Sequence, residues 1–258
     1  MLTDSHAHLD MPEFDDDRGE VIRRALEGGV TRIITIGIDL PSSHKALEIA
    51  NKYDFIYSTV GYHPHNAKLA DREALDALYE LAKEPRVVAW GEIGLDFFRN
   101  HSARQTQIAI FEEQIMLAGR VDLPLIIHDR EAHKEVYEIL NKTRNSRQRG
   151  VIHCYSGDYP LAMAFIGMGF YISVPGTVTY KNASTVRDVA AKIPIEFLLV
   201  ETDAPFLTPS PYRGKRNEPL FVTHTARRIA ELRGMDFQDL ARRTTENTNR
   251  IFGLDGTS

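Results

Sequence analysis

Ten histidines occur among the 258 residues, and several of them fall at one repeated position, just after a short apolar run. His6 and His8 lie in Asp4-Ser5-His6-Ala7-His8, and His63 in Gly61-Tyr62-His63-Pro64-His65. His128 follows Pro124-Leu125-Ile126-Ile127, and His153 follows Gly150-Val151-Ile152. Two carboxylates occupy the same phase: Glu92 after Ala89-Trp90-Gly91, and Asp203 closing Leu198-Leu199-Val200-Glu201-Thr202-Asp203. Imidazole and carboxylate together are the usual ligands of catalytic divalent metals, whose characteristic reaction is attack by activated water. Histidines scattered for other reasons would not recur at this phase.

Each residue also has a plainer reading. An isolated His-x-His is more often a surface or capping pair, and a lone histidine ending a buried run is more often a satisfied core residue. Side chains alternate along an extended chain, so Asp4, His6 and His8 share one side and two imidazoles can face one ion. A buried Glu92 is costly unless paired or metal-bound, and a carboxylate can bridge two ions; otherwise it is a salt-bridge partner. Asp203 can reach a metal held by His6 and His8 and accept a proton from the attacking water, or it can cap a helix. His63 can orient the scissile group or be a turn residue before Pro64. Arg213, with Lys215 and Arg216, follows the last apolar run and is a candidate phosphate grip, or a solvated charge run. Cys154 beside His153 is expected to point to the opposite face and pack in the core.

These residues require a scaffold that brings the ends of many strands together. Strand-like runs recur at 2–4, 32–37, 56–60, 87–91, 125–128, 150–154, 171–174 and 198–201. Helical patterns separate them at 17–28, 42–52, 71–83, 103–121, 131–141, 158–168 and 184–192, followed by a Pro-rich loop over 204–219 and helices near 220–233 and 236–252. The clearest helix is 103–121, with Ile108, Phe111, Ile115 and Ala118 on one face. Strict alternation predicts parallel strands, and eight units point to a closed (β/α)8 barrel spanning 1–258 as one domain; an open doubly wound sheet is the alternative. In a barrel the candidate ligands converge on the C-terminal rim, where barrel active sites are built.

Composition narrows the class. With 43% hydrophobic and 26% charged residues the chain is ordinary globular protein. A net charge of −5 argues against a general polyanion binder. One cysteine allows no intrachain bridge and suits a reducing compartment. No basic start with an apolar run opens the chain and no membrane-length apolar stretch occurs, so a soluble, cytoplasmic protein is expected. No GxSxG, HExxH, Walker A or CxxC pattern is present.

Taken together, these stretches resemble the TatD-related metal-dependent deoxyribonucleases, a branch of the amidohydrolase-like barrels. The resemblance is carried by the motifs quoted above together with Glu92-Ile93-Gly94-Leu95-Asp96, His128-Asp129-Arg130, Ala204-Pro205-Phe206-Leu207, Arg213-Gly214-Lys215 and Thr245-Glu246-Asn247. It implies a first metal on His6, His8, Glu92 and Asp203, and a second on the bridging Glu92, His128 and His153. Tyr62 stands where an aliphatic residue is common, and Ile93 where Thr is common. The implied activity is hydrolysis of DNA phosphodiesters, exonucleolytic on single strands, with Asp203, Glu92 and His63 as catalytic residues and His63, Arg213 and Lys215 on the substrate. Two divalent ions less Glu92, Asp203 and a hydroxide leave a charge of about +1, which complements a phosphodiester. The four histidine ligands favour Zn, Mn, Co or Ni over Mg, although many members of the family are described as Mg-dependent. A monomer is expected. Two rival readings remain: an esterase, lactonase or deacylase acting on a small molecule or aminoacyl ester, and a metal-binding or docking protein without catalysis.

Overall fold

The computed structural model describes residues 1–254; the last four residues of the 1–258 span lie outside the described residues. Eight parallel strands follow one another in chain order: β1 (Leu2–Ala7), β2 (Val30–Thr35), β3 (Ile56–Val60), β4 (Val87–Asp96), β5 (Leu125–Arg130), β6 (Gly150–Ile152), β7 (Phe170–Val174) and β8 (Leu198–Val200). Between them run α1 (Arg18–Glu27), α2 (Leu40–Lys52), α3 (Arg72–Leu81), α4 (Arg104–Arg120), α5 (His133–Lys142), α6 (Tyr159–Gly167) and α7 (Ser184–Lys192), with α8 (Val222–Arg233) and α9 (Phe237–Phe252) at the end. Just past β8, Ala204 bridges back to Ala7 in parallel. His8 N–H donates to the Ala204 carbonyl at 2.8 Å, and Asp203 N–H donates to the His6 carbonyl at 2.9 Å. These bonds close the sheet into a (β/α)8 barrel and decide against the open alternative.

Alternation along the strands builds two apolar layers. Ile33, Ile56, Leu125, Phe170 and Leu198 face the helices in one large cluster. Ile34, Tyr57, Ile126, Val151, Tyr171 and Leu199 form a second cluster with Ile251, Phe252 and Leu254 at the end of α9, which places this apolar plug towards the strands' N-terminal half. The opposite rim is left for polar residues. Helix ends are set locally: Asp39 and Ser42 form a reciprocal cap on α2, Asp158 caps α6, and Gly234 ends α8 at φ 61°.

Helix α4 follows the expected phase at Phe111, Ile115 and Ala118, but Ile108 is only partly buried and two glutamines take core places. Gln114 Oε1 accepts from Tyr62 N–H at 2.7 Å and Trp90 Nε1–H at 3.2 Å. Gln107 Oε1 accepts from Asp96 N–H at 2.9 Å. Both glutamines pin strand ends that carry the site. Among the described residues, no helix is long and apolar enough to cross a membrane.

Candidate metal centre

Five histidines and two carboxylates singled out above meet at the C-terminal rim. The centre of the group is Glu92, near the middle of β4, where Gly91 allows close approach: a Cβ there would lie 2.6 Å from Ile126. Glu92 is 3% exposed, and its two oxygens face different partners. Oε1 lies 2.7 Å from His128 Nδ1, 2.9 Å from His153 Nε2 and 3.5 Å from His63 Nε2. Oε2 lies 3.5 Å from His6 Nε2 and 3.7 Å from His8 Nε2. Asp203 completes the second side, with Oδ1 at 3.7 Å from His6 Nε2 and 3.4 Å from His8 Nε2.

Backbone features explain why these side chains are aimed inward. β1 carries His6 and His8 two residues apart, and their Nε2 atoms come within 3.3 Å of each other. Asp203 has φ 57°, a turn that brings its carboxylate back over β1. The ring of His6 stacks on that of His153 at 3.8 Å between centroids. His63 Nδ1 accepts from His65 N–H at 3.1 Å, which fixes the tautomer carrying its proton on Nε2, aimed at Glu92.

The donors suit a metal. His6, His8 and Asp203, and separately His63, Glu92 and His128, each bring ligand atoms within 4.8 Å of one another. The Nε2 atoms of His6 and His8 lie 3.3 Å apart and share the same two carboxylates, Glu92 and Asp203, while the buried Nδ1 atoms of both rings have no hydrogen-bond partner among the described residues. Such convergent nitrogen and oxygen donors fit divalent cations better than they fit an apolar core.

Electrostatics follow from the same packing. Burial would raise the Glu92 carboxyl, but His153, His63 and His128 hold it well below the ordinary carboxylate range. Asp203 is likewise held down against burial by His8, His153 and His6. Burial opposes charge on His128 and His153, yet adjacent carboxylates raise both: Asp96 and Glu92 for the first, Glu92 and Glu201 for the second. His8 is raised by Asp203 and Glu92 against burial, whereas burial and the nearby His153 lower His6. Burial takes His63 down to about 4, so it is a neutral donor near pH 7.

A second ring of residues was quoted in the sequence motifs without a role. Asp96 Oδ2 lies 3.2 Å from His128 Nε2 and 2.8 Å from His65 Nε2. Glu201, fully buried, places Oε1 at 3.3 Å from His153 Nδ1 and accepts from Cys154 N–H at 2.7 Å. Asp4 accepts from Thr202 N–H at 2.9 Å and from Thr202 Oγ1 at 2.6 Å, and burial pushes it up to about 8. The signal for each was the same as for the ligands, an acid or histidine in a strand-end motif, but nothing in the sequence showed which neighbours they would meet.

The site opens into a cavity of about 1140 Å³. Its wall includes Arg99, Arg130, Tyr180 and Phe206. Arg213 and Lys215 are not part of this wall: Arg213 stacks its guanidinium 4.2 Å over the Tyr180 ring, and Lys215 sits 5.6 Å over Tyr212. Arg216 is tied to Asp17 at 2.6 Å. The core placement expected for Cys154 is corrected by the structure. β6 ends at Ile152, Cys154 takes φ 46°, and alternation no longer applies, so the residue borders the cavity. Burial, with the nearby Asp203 and Glu201 charges, raises its thiol well above the ordinary value, which leaves it protonated and a poor nucleophile.

Comparison with known proteins agrees with this geometry. Residues 3–253 match the family model described as TatD related DNase. The chain is 44% identical over 254 residues to the uncharacterised metal-dependent hydrolase YabD of Bacillus subtilis, covering 98% of this chain and 100% of that protein. It is 37% identical over 259 residues to the 3'-5' ssDNA/RNA exonuclease TatD of Erwinia tasmaniensis, covering 98% and 100%. Among solved structures, the TatD homologue YjjV of Escherichia coli superposes with a TM-score of 0.93 at 34% identity, covering 98% of each chain. A closed barrel, a rim of imidazole and carboxylate donors, and matches that run the length of the chain lead to one assignment: this protein belongs to the TatD-related DNase family of metal-dependent hydrolases.

Proposed function

We propose that the chain is a two-metal phosphodiesterase that removes nucleotides from single-stranded DNA ends, in the 3'-to-5' direction named for its exonuclease relatives. The observation that carries this reading is Glu92, whose two oxygens face two separate donor groups, His6 and His8 on one side and His63, His128 and His153 on the other. In this reading His6, His8, Glu92 and Asp203 hold one ion, and Glu92, His128 and His153 hold the other. The nitrogen-rich donor set favours Zn, Mn, Co or Ni over Mg. Bound divalent ions would lower the pKa of a ligated water and offset charge on the phosphoryl oxygens.

The chain's own groups do the rest. Asp203, ionised and 13% exposed, accepts the proton of the attacking water at Oδ1. His63, neutral and protonated on Nε2, donates a hydrogen bond to a non-bridging phosphate oxygen. Arg99 and Arg130 in the cavity wall supply positive charge along the strand, and Arg213 acts through Tyr180, on which it lies. Asp96 and Glu201 orient His128 and His153 from behind.

The test is incubation of metal-loaded protein with end-labelled single-stranded DNA and RNA, beside Glu92→Ala. Stepwise shortening from the 3' end by the wild type alone is the expected result. Turnover of small esters or lactones with intact oligonucleotides would instead place the chemistry in the small-molecule branch. A strand shortened equally by Glu92→Ala would remove the two-metal reading.

A further inference from the structure

Phe206 stands out from the rest of the cavity wall. Six large hydrophobic side chains are exposed among the described residues, and Phe206, at 46%, is the one of them that lines the cavity. Its position is not slack. Phe206 N–H donates to the Asp203 carbonyl at 2.8 Å, and its own carbonyl accepts from Asn217 Nδ2 at 2.5 Å. Asn217 is fully buried, and its Nδ2 also donates to the Thr202 carbonyl at 2.9 Å, while its N–H donates to the Pro205 carbonyl at 3.1 Å. The backbone is therefore clamped, and the ring is held out in water. Among the described residues its one ring partner is His8, in an edge contact at 6.2 Å between centroids.

An aromatic ring left in water beside a cluster of imidazole and carboxylate donors is a poor arrangement for folding and a good one for stacking. We propose that Phe206 is a nucleobase-stacking residue, taking the unpaired base next to the scissile phosphate. This rests on the phosphodiesterase reading above. The chemistry fits in three respects. Phe206 lies three residues from Asp203 and against His8, so a base on it has its phosphate within reach of the candidate ligands. Arg99 and Arg130 place cationic groups on the same cavity wall, which matches a strand rather than a neutral apolar group. A π face accepts any base but requires that base to be out of a duplex, so the ring selects unpaired ends without reading sequence.

The experiment compares wild type, Phe206→Ala and Phe206→Trp on strands with normal ends and on strands whose terminal or penultimate nucleotide lacks its base. Stacking predicts that Phe206→Ala loses about 5- to 150-fold in kcat/KM on normal ends, and that Phe206→Trp stays within a few-fold of wild type. One of the abasic strands should slow the wild type by a similar factor, and on that strand Phe206→Ala should cost little more. The metal content and Tm of Phe206→Ala should match wild type, since its ring lies outside the core clusters. An equal penalty on normal and both abasic ends, or no penalty at all, overturns the stacking role while leaving the nuclease intact. A wild type inert on every oligonucleotide overturns the phosphodiesterase reading itself, and the stacking role with it.

Discussion

Glu92 reaches both donor groups with its two oxygens, so removing it is expected to act on metal content before it acts on rate. Glu92→Ala should bind less than the full complement of metal when metal is counted by elemental analysis. Asp203→Asn keeps the shape but removes the base. At saturating metal it should lower kcat by about 10²- to 10⁴-fold. Activity within a few-fold of wild type would show that the proton goes elsewhere. Glu201 is fully buried with Oε1 3.3 Å from His153 Nδ1, and in the proposed reading it holds that ring in place. Glu201→Gln should weaken metal binding by about 10- to 100-fold in a calorimetric titration. At this scale the sequence was informative about identity and poor about partners. His6, His8, Glu92, His128, His153 and Asp203 were visible by type and phase, whereas the pairing of Asp96 with His65 and His128 spans 31 and 32 residues and depends on neighbouring strands.

The loop after β8 shows how elements support the site. Asn217 Oδ1 accepts from Glu218 N–H at 2.9 Å, in addition to the carbonyls that its Nδ2 satisfies. Asn217→Ala would leave several of these groups buried and unpaired, at a cost on the order of 3 kcal/mol measurable by denaturant unfolding. The same loop is tied to α1 by Arg216 on Asp17 and by Glu218 on Arg24. Arg216 holds the Asp17 carboxyl below its usual 3.8, so this tie is present above that value and is lost as the pH falls through the lower folded one. Hydrogen exchange over 211–218 should therefore be faster in Asp17→Asn than in wild type at pH 7, and the two should converge in acid. Exchange alike at pH 7 would mean the ion pair does not hold the loop. Helices and strands were legible because periodicity is a local property. The end of β6 was not: Cys154 takes a positive φ with its N–H donated to Glu201, just past β8, and no local pattern shows that turn.

At the scale of the whole barrel, the site lies at one end of a stack whose other end is sealed by α9. Metal that binds only the folded chain should therefore stabilise all of it. Divalent ion at about 100 times its Kd adds about 2.7 kcal/mol, which for a chain of this size raises Tm by roughly 5–10 °C. Chelation should reverse that gain, and Glu92→Ala should show little of it. Residue types, the 2.0 and 3.6 periods and strict strand–helix alternation determined, from sequence alone, eight parallel β/α units and the set of polar side chains at their strand ends. Closure was decided only in three dimensions, by Ala204 bridging to Ala7. So were the split of Glu92 between two donor groups, the removal of Arg213 from the cavity wall to Tyr180, and the exposure of Phe206. The reason is physical: periodicity reports which face of an element is apolar, while the distance between two side chains on different strands follows from register, twist and closure, which no local pattern encodes.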